Sequence, residues 1–112
     1  MPFRQIGSQL VKGTTPLLVL TVIGEGELYG YEIAQAVRER SGGAFAPSEG
    51  SLYPTLHRLE LDGALAAEWR ASDRGPRRRY YRLTKAGRGM LAESRTEWSA
   101  LVRAVDAVSS GG

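Results

Sequence analysis

Arg77-Arg78-Arg79-Tyr80-Tyr81-Arg82-Leu83-Thr84 sets four arginines into a segment whose tyrosines and leucine favour a strand. A guanidinium holds its N–H donors in a planar fork that matches phosphate oxygens, so a strand carrying four of them is suited to lie along a polyanion. Ser72-Asp73-Arg74-Gly75-Pro76, just ahead, is rich in turn formers. Before that turn, Leu65-Ala66-Ala67-Glu68-Trp69-Arg70 supplies a partner strand, and the pair reads as a basic hairpin. Between Leu65 and Thr84 six arginines stand against Glu68 and Asp73, a surplus of four, while the whole chain carries +3. The positive charge is concentrated here, and Arg74, Arg77, Arg78 and Arg79 are its candidate phosphate contacts. The bland counterpart is a strand edge kept soluble by charge.

A second set of polar side chains lies between Ser48 and Arg58. Ser48 can cap a helix whose first turn carries Glu49, favourable for the helix dipole. Leu52, Leu56 and Leu59 then recur at i, i+4 and i+7 as a core stripe. The opposite side carries Gly50, Ser51, Pro54, His57 and Arg58, small at its start and donor-rich at its end, which suits close approach to a flat polar partner. Ser48, Ser51, His57 and Arg58 are the candidate contacts to such a partner, and Arg58 alone has a bidentate fork of donors. Pro54 is expected near the first turn, with Gly50 four residues back, where a missing N–H costs least. His57, the only histidine, has a plain surface reading beside this one, and without cysteine it cannot build a zinc site. Glu93 and Glu97 lie one helical turn apart but read, with Arg95, as surface pairing. No nucleophile, base or metal constellation is present, so neither an enzyme nor a cofactor is expected. Gly24-Glu25-Gly26 with Gly30 misses the spacing of a dinucleotide loop and follows a helix, not a strand.

The elements that must position these side chains fit a single domain, since 112 residues bury about 65% of their unfolded surface but leave no room for a second core. No apolar run approaches the roughly 20 residues of a membrane span. Met1-Pro2-Phe3-Arg4 opens no leader, and the absence of cysteine fits a reducing compartment, so a cytoplasmic location is expected. Residues 1–9 form an arm. Residues 10–84 hold a helix capped by Thr15 with Pro16 at its first position, a second helix from Tyr31 to Arg40, the Ser48 helix closed by Asp62-Gly63, and the hairpin. Thr84 caps a last helix from Lys85 to about Ser109, roughly 36 Å long, and residues 110–112 are a tail. Leu91, Trp98, Leu101, Val102, Val105 and Val108 recur on that helix at spacings of three, four and seven. A core this small cannot cover them all, so residues 85–109 are expected to pack against a second copy as a short coiled-coil-like seam.

Three helices followed by a two-stranded basic hairpin is the order of a winged helix-turn-helix, mostly α with a small β-hairpin, whose third helix enters the major groove while the wing follows the backbone. Tyr29-Gly30-Tyr31-Glu32-Ile33, Ser48-Glu49-Gly50-Ser51-Leu52-Tyr53-Pro54, Leu59-Glu60-Leu61-Asp62-Gly63 and Arg79-Tyr80-Tyr81-Arg82-Leu83-Thr84 with Gly87 mark its joints. On these motifs, from Gly13 to about Arg95, the chain resembles the small, single-domain PadR-like transcriptional regulators. The resemblance implies a homodimeric repressor of double-stranded operator DNA, with the first and last helices forming the dimer and often an effector cavity. It also implies that Tyr53 positions the DNA backbone. Tyr29 and Tyr31 flank a glycine at a helix N-terminus, where N–H groups and phenol hydroxyls can meet phosphate; as the alternative, one of them is core. Trp98 is either plain seam core or, as the resemblance to multidrug-responsive relatives implies, a stacking surface for a small aromatic effector, with Phe3 and Ile6 of the arm close by. The rival function is a winged helix used for protein interaction or dimerisation without effector.

Overall fold

The computed structural model describes residues 13–111. In chain order these form α1 (Thr15–Ile23), β1 (Leu28–Tyr29), α2 (Gly30–Arg40), α3 (Glu49–Leu61), β2 (Leu65–Arg70), β3 (Arg78–Leu83) and α4 (Lys85–Ser109). The fold is a winged helix-turn-helix, mostly α with a small antiparallel sheet and a long C-terminal helix.

Each helix starts and stops where local chemistry directs it. Ser51 N–H donates to Ser48 Oγ at 3.3 Å and Gly87 N–H to Thr84 Oγ1 at 3.0 Å, so both expected caps are in place. Tyr29 N–H donates to Glu32 Oε1 at 3.1 Å, the acidic half of a capping box that starts α2 at Gly30, one residue earlier than expected. The cap of α1 is Thr14, and Pro16 is its second residue; its missing N–H still falls among the first-turn donors that no helical carbonyl can reach. At the end of α3, Gly63 takes a φ of 79°, with Ala64 N–H donating to Leu59 O at 2.9 Å and Gly63 N–H to Glu60 O at 3.0 Å. This left-handed closure turns the chain directly into β2. Pro54 lies deeper than expected, as the sixth residue of α3. It and Gly50 are both exposed, so water can serve the carbonyl that receives no bond from residue 54.

The stripe of Leu52, Leu56 and Leu59 closes against Val19, Leu20 and Ile23 of α1, Ile33 and Val37 of α2, and Leu65, Tyr81 and Leu83 of the sheet. The sheet runs β1-β3-β2, antiparallel throughout. Its third strand was not expected: Leu28 and Tyr29 pair with Tyr81 and Tyr80, placing the arginine strand in the centre. In the hairpin, Leu65 pairs with Leu83, Trp69 with Arg79 and Arg70 with Arg78. Successive side chains therefore alternate, with Arg79, Tyr81 and Leu83 on the face toward the helices and Arg78, Tyr80 and Arg82 on the other.

Helix α4 is anchored most closely at its start. Gly87 is buried because a Cβ there would run into the Ala64 carbonyl, which accepts Thr84 N–H at 3.0 Å. Met90 and Leu91 pack on the core edge. Leu91 thus has a partner within its own chain, contrary to the expectation that it opens an uncovered seam. A methyl on Gly24 would lie 3.3 Å from its Cδ2. Past this point Trp98, Leu101, Val102, Val105 and Val108 are exposed. The projecting helix gives a radius of gyration of 15.4 Å, against about 13 Å for a compact chain of this length.

Candidate nucleic-acid interface

The exposed face of α3 carries every side chain proposed for it from the sequence. Gly50, Ser51, Tyr53, Pro54, His57 and Arg58 are all exposed, and so is Ser48 at the cap. The two serines are joined, Ser48 Oγ to Ser51 Oγ at 3.3 Å, so the hydroxyls stand at the helix N-terminus beside the first-turn N–H groups of Glu49 and Gly50. That arrangement can accept an anionic oxygen. Arg58 Nε lies 3.3 Å from Asp62 Oδ2 in an i,i+4 pair with a side chain 77% exposed. Such a pair is weak in water, and the guanidinium remains available to a base edge.

Tyr29 and Tyr31 differ in exposure, and neither is in the buried core. Tyr31 is 66% exposed at the start of α2. Tyr29 is half-buried in β1, stacked on Tyr31 with centroids 6.5 Å apart and edge-on to Tyr80 at 5.4 Å. Arg78 lies over the Tyr29 ring, 4.5 Å from its centroid, a cation–π contact that holds a wing arginine next to the N-terminus of α2. Tyr53 reaches the same place from α3. A Cβ on Gly30 would lie 2.6 Å from the Tyr53 hydroxyl, so only glycine lets that ring settle between the two helices.

The wing's arginines fall into two groups. Arg70 is held by Glu27 and Glu68 together and lies 4.6 Å from the Tyr80 ring centroid; the hydrogen bond to Glu27, then that to Glu68, raises its pKa above the ordinary guanidinium value. Arg79 pairs with Glu60 of α3 at 2.6 Å. Arg74, Arg77, Arg78 and Arg82 are exposed and make no ion pair among the described residues. Ser72 Oγ donates to Pro76 O at 2.7 Å and Gly75 takes a φ of 104°, closing the turn that presents Arg74 and Arg77. Glu60 and Trp69 also belong to this surface, although the sequence pattern does not single them out. Strand alternation carries the signal for Trp69 and Arg79, which share a face with Leu65, Ala67, Tyr81 and Leu83.

Trp98 lies away from these side chains. It and Leu101, Ser94 and Glu97 form a groove of about 340 Å³ with Thr14, Pro16 and Leu17 at the start of α1, and the indole is 43% exposed. Phe3 and Ile6 lie outside the described residues.

Residues 19–93 match the family model described as the transcriptional regulator PadR-like family. The chain is 44% identical over 89 residues to the transcriptional regulator Rv3488 of Mycobacterium tuberculosis, covering 80% of this chain and 79% of that one. It is 31% identical over 106 residues to an uncharacterized protein of Lysinibacillus sphaericus, covering 95% and 97%. Among solved structures, a PadR family transcriptional regulator from Eggerthella lenta superposes with a TM-score of 0.82 at 31% identity, over 93% of this chain and 88% of its own. An α3 face of small and donor side chains, a wing bearing four arginines without an ion pair among the described residues, and these likenesses agree: the chain belongs to the PadR-like family of transcriptional regulators, winged-helix proteins that regulate by binding DNA.

Proposed function

We propose that the protein is a homodimeric repressor whose residues 10–84 read operator DNA, whose residues 85–109 hold two copies together, and whose grip on DNA is released by a small hydrophobic or aromatic effector. The observation that carries this reading is the uncovered apolar stripe of α4. Trp98, Leu101, Val102 and Val105 are between 38% and 52% exposed and Val108 is 83% exposed, an unfavourable arrangement for a lone chain at about 25 cal/mol for each Å² of apolar surface. A second copy of the same helix would cover the stripe and set two α3 helices at a fixed separation. The groove at Trp98 adjoins that stripe, so a planar compound stacked on the indole would touch both the seam and α1. Such a compound acts on DNA by preferring one separation or tilt of the two reading units over another. None of the helices among the described residues is long and apolar enough to cross a membrane, and a reader of DNA belongs in the cytoplasm where the DNA is.

Titration with a panel of flat aromatic compounds tests this reading. Quenching of tryptophan emission and release of bound DNA should follow the same curve, and Trp98→Ala should lower compound affinity while leaving the dimer intact. Unchanged affinity in that variant, or no binding by the wild type, would leave Trp98 as seam core and favour a dimeric winged helix without effector.

A further inference from the structure

We propose that Glu60 and Arg79 form a latch that fixes the wing against α3, making both of them positioning residues for DNA recognition. The inference rests on the DNA-reading function above and gives Arg79 a role different from that of its neighbours in sequence. Strand alternation turns Arg79 toward the helices, on the face of Tyr81 and Leu83, while Arg78 faces the other way. Its guanidinium meets the Glu60 carboxylate at 2.6 Å, both side chains about one-third exposed (33% and 31%). The same guanidinium lies 5.6 Å from the Trp69 ring centroid and 6.0 Å from that of Tyr81, so carboxylate and rings hold it from several sides.

The placement matters because the other ties between the hairpin and α3, the connecting turn and the core packing of Leu65, Tyr81 and Leu83, lie nearer its base. The Asp62–Ala64 turn leads straight into Leu65, and Thr84 N–H donates to Ala64 O beside it at 3.0 Å. Arg79 stands four residues up the strand from Leu83, roughly 13 Å away at strand rise. A tie at that distance opposes tilting of the wing toward or away from α3, as a bond at the base cannot. It also neutralises the arginine, leaving phosphate contact to the unpaired wing arginines. Specificity follows because the wing and α3 must meet the same duplex in register.

The probes are a duplex that the wild type selects from a random-sequence pool and a scrambled duplex of equal length, with binding measured across a salt series. Arg79→Ala and Glu60→Gln should each weaken binding to the selected duplex about two- to fivefold, and the double variant should be no weaker than the poorer single one. The preference for selected over scrambled duplex should fall, with the logarithmic salt slope unchanged. Should Arg79→Ala melt far below the wild type, Arg79→Met, which keeps the packing on Trp69 and Tyr81, carries the same comparison. The latch alone is overturned if loss of Arg79 flattens the slope by about 0.9 per phosphate while Glu60→Gln tightens binding, for then Arg79 touches phosphate and Glu60 only competes for it. A wild type that enriches no duplex overturns the DNA-reading function and the latch with it.

Discussion

Six arginines populate the wing region, yet they do not present equal charge to a partner. Arg70 and Arg79 are engaged by carboxylates, whereas Arg74, Arg77, Arg78 and Arg82 are exposed and unpaired among the described residues. Arg77→Ala and Arg78→Ala should therefore each flatten the logarithmic salt dependence of DNA binding by about 0.9 for every phosphate that the guanidinium neutralised. Arg70→Ala should leave that slope alone, and binding isotherms across a salt series decide it. Arg58→Ala should instead lose roughly 1 to 3 kcal/mol of discrimination at one base pair per half-site; equal weakening on every sequence would make Arg58 a backbone contact. Tyr81 sets an alkaline limit. Burial, more than any neighbouring charge, pushes its phenol above the ordinary tyrosine range. A folded pKa above the unfolded one gives stability that is complete below about pH 10 and lost as pH rises through the folded value. Denaturation at pH 9 and pH 11 should show that loss in the wild type and a smaller one in Tyr81→Phe. The basic cluster was legible as a run of arginines, but its pairing was not, since Glu27 lies 43 residues from Arg70 and Glu60 lies 19 from Arg79. Only the assembled sheet brings them together.

Helices α3 and α4 were legible because their ends are written in cap chemistry, Ser48 and Thr84 at the starts and Asp62-Gly63 at the close of α3. Strand β1 was not, because two residues are too few to show a period. From the sequence its tyrosine reads only as a neighbour of the α2 start, whereas in the fold Tyr29 is both strand residue and cap. Leu91 fits the repeat of the apolar seam, but the anchored first turns of α4 bring it to the core edge, and periodicity alone cannot locate where a helix leaves its domain. Disrupting that anchor has a measurable effect. Gly87→Ala would drive a methyl into the Ala64 carbonyl, backbone that cannot swing aside. It should destabilise the fold by about 1 to 3 kcal/mol, read as a lowered denaturation midpoint at unchanged slope. Gly89, two residues on and exposed with no atom near its Cβ position, is the control, and Gly89→Ala should be neutral or mildly stabilising.

At the scale of the whole molecule, a compact winged helix carries a helix whose distal apolar side chains its own core does not cover. Replacing Leu101 and Val105 by glutamate should yield folded monomers, because neither side chain belongs to the chain's buried core, and sedimentation equilibrium would show it. A wild type that sediments as a monomer would remove the dimer from the account. The proposed dimer sets the DNA geometry: two copies related by a two-fold axis would present two α3 helices, so their half-sites should be inverted repeats one helical turn apart, about 34 to 36 Å, or a multiple of it. Selection of duplexes from a random-sequence pool by the wild-type protein tests this most directly. Enrichment of an inverted repeat with that spacing, bound more weakly as salt rises, is the predicted result; recovery of no preferred sequence, or of a lone half-site bound by a single copy, would contradict it.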